Sequence, residues 1–136
     1  MSRTLRIVLI EDDADDVELL QDALDSQDIK YELTLLKDGS AAAGYCEKAG
    51  VLPDIIIMDF NLPKVHGREV VKMIRSKEKF ASVPILILST SSSKEDISFA
   101  YKAGADKYLI KPATVEAIQE TIRTILELVK PKVMTS

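Results

Sequence analysis

Four stretches of the chain, ending at Ile10, Met58, Leu88 and Ile110, are apolar almost without interruption, and a charged or hydroxyl side chain follows each at once. Short runs of this kind read as strands covered on both faces, because a strand with one wet face alternates instead. Residues 6–10, 55–58, 84–88 and 107–110 are therefore predicted strands. A fifth segment, 32–36, does alternate, which predicts a strand at a sheet edge. Between the strands the period becomes helical. Val17, Leu20 and Leu24 recur among acids and predict a helix over 15–28, residues 41–49 predict a second closed by Gly50, and Val70, Val71 and Ile74 mark a third that begins near His66 and Gly67. Ser92 and Glu95 have capping-box spacing and place the start of a fourth, which Gly104 ends. Val115, Ile118, Ile122, Ile125 and Val129 form one face of a long fifth helix, stopped by Pro131. Asp38-Gly39 reads as a turn, and Pro63 cannot donate to a ladder, so the third strand is over before it.

Five strands alternating with five helices through right-handed crossovers give an α/β fold, a doubly wound parallel sheet with helices on both faces. The edge character of the second strand and the buried character of the third favour the flavodoxin-like (βα)5 order 2-1-3-4-5.

Composition narrows this picture. A length of 136 residues with 46% hydrophobic content suits one domain with a real core, spanning about 5–130. The sequence carries no linker-like tract, so no output domain is expected. The net charge of −4 argues against a protein that coats nucleic acid. Lys72, Arg75, Lys77 and Lys79 read as a solvated helix end. Cys46 is the one cysteine, which excludes an internal disulfide and fits a reducing compartment. The apolar run 7–10 is too short for a signal peptide or a membrane span, so a cytoplasmic protein without membrane contact is expected.

The chemistry follows from the fold. In a parallel sheet all strand ends of one polarity share an edge, and ligands gather there. Glu11 and Asp12 follow the first strand, Asp59 and Asn61 the third, Ser89 the fourth and Lys111 the fifth. Two unit charges about 4 Å apart repel by ~4 kcal/mol at an effective dielectric near 20, so three gathered carboxylates need cations. Lys111 supplies one charge and a divalent ion two more. Oxygen ligands without thiolate or imidazole favour magnesium, with manganese as the alternative, held by two direct carboxylates and a backbone carbonyl. A metal beside a carboxylate, a lysine and a hydroxyl suits phosphoryl transfer onto the carboxylate.

Two rival chemistries use a similar rim. A haloacid-dehalogenase-like, magnesium-dependent phosphatase needs a second acid two residues after its nucleophile, and Asn61 stands there. A flavodoxin-like redox carrier needs a phosphate-cradling first loop, and Glu11-Asp12-Asp13 would repel phosphate. His66 reads as a surface residue, the serines at 91–93 as a helix cap, and Leu126 and Leu128 as a second apolar face suited to a dimer.

Taken together the residues resemble the receiver domain of two-component response regulators, over about 5–128. The motifs that carry the resemblance are the acidic pair after the first strand, Met-Asp-Phe-Asn-Leu-Pro63 with Gly67, Pro84-Ile-Leu-Ile-Leu-Ser89, and Gly104-Ala-Asp-Lys-Tyr-Leu-Ile-Lys111-Pro112. The resemblance implies that Asp59 accepts the phosphoryl group and that Glu11, Asp12, Asp59 and the Asn61 backbone carbonyl hold magnesium. It makes Ser89 the switch hydroxyl, Tyr108 the switch aromatic and Lys111 the partner of the phosphoryl group, with a cis Lys111-Pro112 bond. The implied protein is a signalling phosphoacceptor whose only chemistry is its own phosphorylation and dephosphorylation. The implied partners are a histidine kinase or hybrid kinase, a histidine phosphotransfer protein or downstream target, and a second copy through the surface of helix four, strand five and helix five. Glu11-Asp-Asp-Ala-Asp-Asp16, Gly67-Arg-Glu69 and Thr90-Ser-Ser92 look most like single-domain regulators that accompany phytochrome-type or hybrid kinases. Thr90 and Ala113 depart from the common pattern, which has alanine or glycine and phenylalanine there.

Overall fold

The computed structural model describes residues 4–62 and 66–133. Pro63 lies outside the described residues. In chain order the elements are β1 (Leu5–Ile10), α1 (Ala14–Ser26), β2 (Tyr31–Leu36), α2 (Gly39–Lys48), β3 (Ile55–Asp59), α3 (Gly67–Ser76), a 3₁₀ turn at Glu78–Phe80, β4 (Ile85–Ser89), α4 (Lys94–Ala103), β5 (Lys107–Ile110) and α5 (Val115–Val133). The strands form one parallel sheet in the order β2-β1-β3-β4-β5, as the edge pattern of 32–36 predicts.

Unbroken apolar strands serve two cores because successive side chains point to opposite faces. Ile56 and Met58 of β3 pack with Val70, Val71 and Ile74 of α3 on one face. Ile55 and Ile57 pack with Leu20 and Leu24 of α1 and Ile122 and Ile125 of α5 on the other. Burying these side chains is the main driving force, at ~1.5–3 kcal/mol for each large aliphatic group. Cys46 is part of the first core, and burial raises its thiol pKa, so it packs rather than reacts.

Several local expectations are corrected. The N-cap of α4 is Ser93, whose hydroxyl accepts from Asp96 N–H at 3.3 Å, one residue after the predicted cap. Asp38-Gly39 is the entry to α2, with Asp38 as N-cap, so that helix starts two residues early. Helix α5 continues through Pro131 to Val133. Proline here forfeits one hydrogen bond near a helix end, which is less disruptive than in the interior. The predicted stripe of α5 is buried at Ile122, Ile125 and Val129, but Val115 in the first turn is 68% exposed. Lys111–Pro112 is trans, since no described peptide bond is cis, and trans is the favoured X-Pro isomer unless its surroundings impose the other.

The basic group at 72–79 is not uniformly solvated. Arg75 turns away from solvent and donates to the carbonyls of Gly104 at 2.8 Å, Phe80 at 2.9 Å and Val83 at 2.7 Å, and to Asp106 Oδ2 at 2.7 Å. Asp106 in turn accepts from Ile85 N–H. The guanidinium therefore ties α3, the 3₁₀ turn, β4 and the end of α4 together.

Candidate functional site

Register places the rim residues side by side. Ile10 is opposite Met58, so Glu11 and Asp59 follow in adjacent columns. Asp59 is opposite Leu88, and Ser89 is opposite Ile110, so Ser89 and Lys111 each lie one step further along. Main-chain bonds extend the ladders past the strands: Glu11 N–H donates to Leu36 O at 3.0 Å and Lys111 N–H to Ser89 O at 2.8 Å. On the far side, Gly67 N–H donates to Phe60 O at 2.9 Å, and a Cβ on Gly67 would fall 2.5 Å from that oxygen. The absent side chain lets α3 start hard against the strand end that carries Asp59.

Carboxylate oxygens of Glu11, Asp12 and Asp59 lie within 4.8 Å of one another. Glu11 and Asp59 are buried and Asp12 is exposed, which leaves the group open to solvent on one side. Lys111 Nζ reaches Glu11 Oε1 at 3.1 Å and Asp59 Oδ2 at 3.1 Å. Asn61 N–H donates to the other oxygen of Asp59 at 3.1 Å. Burial holds the lysine charge down, but hydrogen bonds to Asp16, Glu11 and Asp59 outweigh it and raise the ammonium pKa above its ordinary value. Burial first, and the charge of Asp59 second, push the Glu11 carboxyl up to about 7, against an opposing pull from Lys111. Negative charge is therefore in excess in the cluster. An all-oxygen donor set with uncompensated charge, open on one side, fits a hard divalent ion.

A pH dependence follows. A carboxyl whose folded pKa is raised from 4.5 to about 7 contributes stability that is present below 4.5 and is lost as pH rises through 7. Without metal, the stability of the natural sequence relative to Glu11→Gln is expected to fall between pH 4.5 and 7. Urea midpoints of the two proteins across that range measure it, and a difference that is flat or rises with pH contradicts the assignment.

The family model for the response regulator receiver domain matches residues 7–123. The chain belongs to this family. The probable methanogenesis regulatory protein FilR2 of Methanothrix harundinacea is 34% identical over 125 residues, covering 89% of this chain and 81% of that protein. The crystal structure of the phosphorylated cyanobacterial phytochrome response regulator RcpA superposes with a TM-score of 0.84 at 31% identity, covering 96% of this chain and 97% of that one. The Mn2+-bound form of response regulator Rcp1 superposes with a TM-score of 0.79 at 30% identity, over 90% and 92% of the two chains.

This receiver domain gathers Glu11, Asp12, Asp59, Asn61, Ser89 and Lys111 at one rim. Ser89 is fully buried, and its hydroxyl accepts from Ser91 N–H at 3.1 Å. Tyr108 is already packed inward, edge-on to Phe60, with its hydroxyl donating to Ser91 O at 2.8 Å. Tyr101 OH accepts from Tyr108 N–H at 3.1 Å. Asp13 is the N-cap of α1, accepting from the N–H groups of Asp15 and Asp16. His66 is more than a surface residue: its Nδ1 accepts from Arg68 N–H at 3.1 Å to cap α3, and its ring meets Phe60.

Sequence reasoning missed Asp16, whose Oδ2 lies 2.6 Å from Lys111 Nζ. A signal was present. Asp16 precedes Leu20 and Leu24 by four and eight residues, so it belongs to the buried stripe of α1 rather than to its wet face. No helix among the described residues is long and apolar enough to cross a membrane.

Proposed function

We propose that this receiver domain accepts a phosphoryl group on Asp59 from a histidine kinase or hybrid kinase and passes the signal on by protein contact or onward phosphotransfer. The observation that carries the reading is the gathering of Glu11, Asp12 and Asp59 oxygens within 4.8 Å, with Lys111 bridging two of them. Glu11, Asp12, Asp59 and the Asn61 backbone carbonyl would hold magnesium or manganese, which supplies positive charge to the oxygens of the transferring group. The manganese-bound form of Rcp1 supports, by analogy, a divalent ion in this domain.

Asp59 Oδ attacks phosphorus in line with the P–N bond of a phosphohistidine. The new O–P bond forms as the P–N bond breaks, and that electron pair returns to the imidazole. Lys111 and the Ser89 hydroxyl meet oxygens of the arriving group, where their charge and proton count most in the transition state. A Ser89 hydroxyl turned toward phosphate no longer accepts from Ser91 N–H. Tyr108 holds the carbonyl of that same residue, so Ser89 and Tyr108 govern one loop from two sides. The loop leads into α4 through the Ser91 hydroxyl, which donates to Asp96 at 2.6 Å. Phe99 and Tyr101 of α4, Ile110 at the end of β5 and Val115 at the start of α5 are exposed, which suits this side for a target or a second copy.

Incubation of the natural sequence with acetyl phosphate and magnesium, read by intact mass, is expected to add one phosphoryl group that hydroxylamine removes and chelation of the metal prevents. A stable adduct, or uptake indifferent to the chelator, overturns the reading.

A further inference from the structure

Lys111 is engaged by three carboxylates, and the nearest belongs to neither the metal cluster nor the acceptor. Its Nζ lies 2.6 Å from Asp16 Oδ2, against 3.1 Å from Glu11 and 3.1 Å from Asp59. An ammonium group has three N–H donors, so these contacts use all of them. Asp16 approaches from the first turn of α1, on the solvent side. Its side chain is 36% exposed where that of Lys111 is 15%. Together they line the narrow cleft between α1 and α5 that Leu20, Pro112 and Ile118 also line.

We propose that Asp16 is a positioning residue that holds Lys111 in competition with the transferred phosphoryl group. This rests on the phosphoacceptor reading of Asp59. An oxygen of the new acyl phosphate gains an N–H from Lys111 only when one of the three present acceptors gives one up. Glu11 is buried and has few alternatives in water. Asp16 is half-exposed, so release to solvent costs it least. Phosphorylation also adds negative charge to the site, and Asp16 opposes that addition from the other side of the ammonium. The same carboxylate has the reverse effect on the metal, because its charge adds to the field that attracts a divalent cation.

Asp16→Asn therefore separates two quantities that damage to the site would move together. Calorimetric titration of the unphosphorylated protein with magnesium alone is expected to show roughly fivefold weaker binding. The initial rate of uptake from acetyl phosphate at saturating magnesium is expected to rise by a similar factor. Asp16→Glu keeps the charge and is expected to return both toward the natural values. If Asp16→Asn is slower at saturating metal, Asp16 merely orients Lys111; if both quantities are unchanged, the contact is idle. Either result overturns the proposal. Absence of uptake by the natural sequence in the same assay overturns the acceptor reading first, and this inference with it.

Discussion

Asp59→Asn is expected to take up no labile phosphoryl group from acetyl phosphate, and without metal to unfold at a higher temperature than the natural sequence. The first half follows from chemistry, since an amide oxygen is a poor nucleophile and cannot form the acyl phosphate. The second follows from charge. Asp59 has Glu11 and Asp12 oxygens within 4.8 Å and one cation, Lys111, at 3.1 Å. At pH 8, where the Glu11 carboxyl is charged, each like pair at that separation repels by about 3.5 kcal/mol at an effective dielectric near 20, and two such repulsions outweigh the one attraction of about 5 kcal/mol, which Glu11 and Asp16 also satisfy. The amide oxygen that the substitution leaves in place can still accept the Asn61 N–H that Asp59 accepts at 3.1 Å. Intact mass checks the first half and thermal unfolding in chelator the second. Uptake that survives Asp59→Asn removes Asp59 as acceptor. A lowered unfolding temperature means that the lysine pair, and not the repulsion, dominates.

Arg75→Ala is expected to be the most destabilising of the changes considered. The guanidinium satisfies three carbonyls and Asp106, with only 18% of its side chain exposed. Truncation strands acceptors that water reaches poorly. A hydrogen bond to a charged group contributes about 1.5–3 kcal/mol, and the bonds share one donor group, so a loss of about 3 kcal/mol is expected rather than their sum. In a domain of this size that lowers the unfolding midpoint by roughly 10 °C. Arg75→Lys is expected to recover little, because one ammonium cannot span four acceptors set around a planar fork. Thermal melts of the three proteins check this, and a shift below about 2 °C for Arg75→Ala would mean that water replaces the guanidinium at no cost.

These two residues mark the boundary of what the sequence reveals. Asp59 is legible because one strand, four apolar residues long, ends on it, and a parallel sheet brings every such end to one rim. The same reasoning places Glu11, Ser89 and Lys111 at that rim, since strand register follows from the two-residue period and needs no knowledge of side-chain conformation. Arg75 is not legible in that way, and Asp16 only in part, since its spacing from Leu20 and Leu24 places it on the buried stripe of α1 but does not name its partner. Both are charged residues on helices, where the ordinary reading is a wet face, and both turn inward to partners about thirty and ninety-five residues away. The α4 cap lies one residue beyond the predicted one because three consecutive serines offer near-equivalent hydroxyls. Backbone geometry, not composition, selects Ser93.

Periodicity and strand polarity are properties of the chain alone, and they suffice for the order of strands and helices, the two buried faces of the sheet and the rim on which the chemistry-bearing residues meet. Which acid lies nearest Lys111, the inward packing of Tyr108 against Phe60, and the tie that Arg75 makes across the far end of the domain emerge only on folding. Long flexible side chains choose among several partners by distance and solvation, and both exist only once the chain has closed on itself.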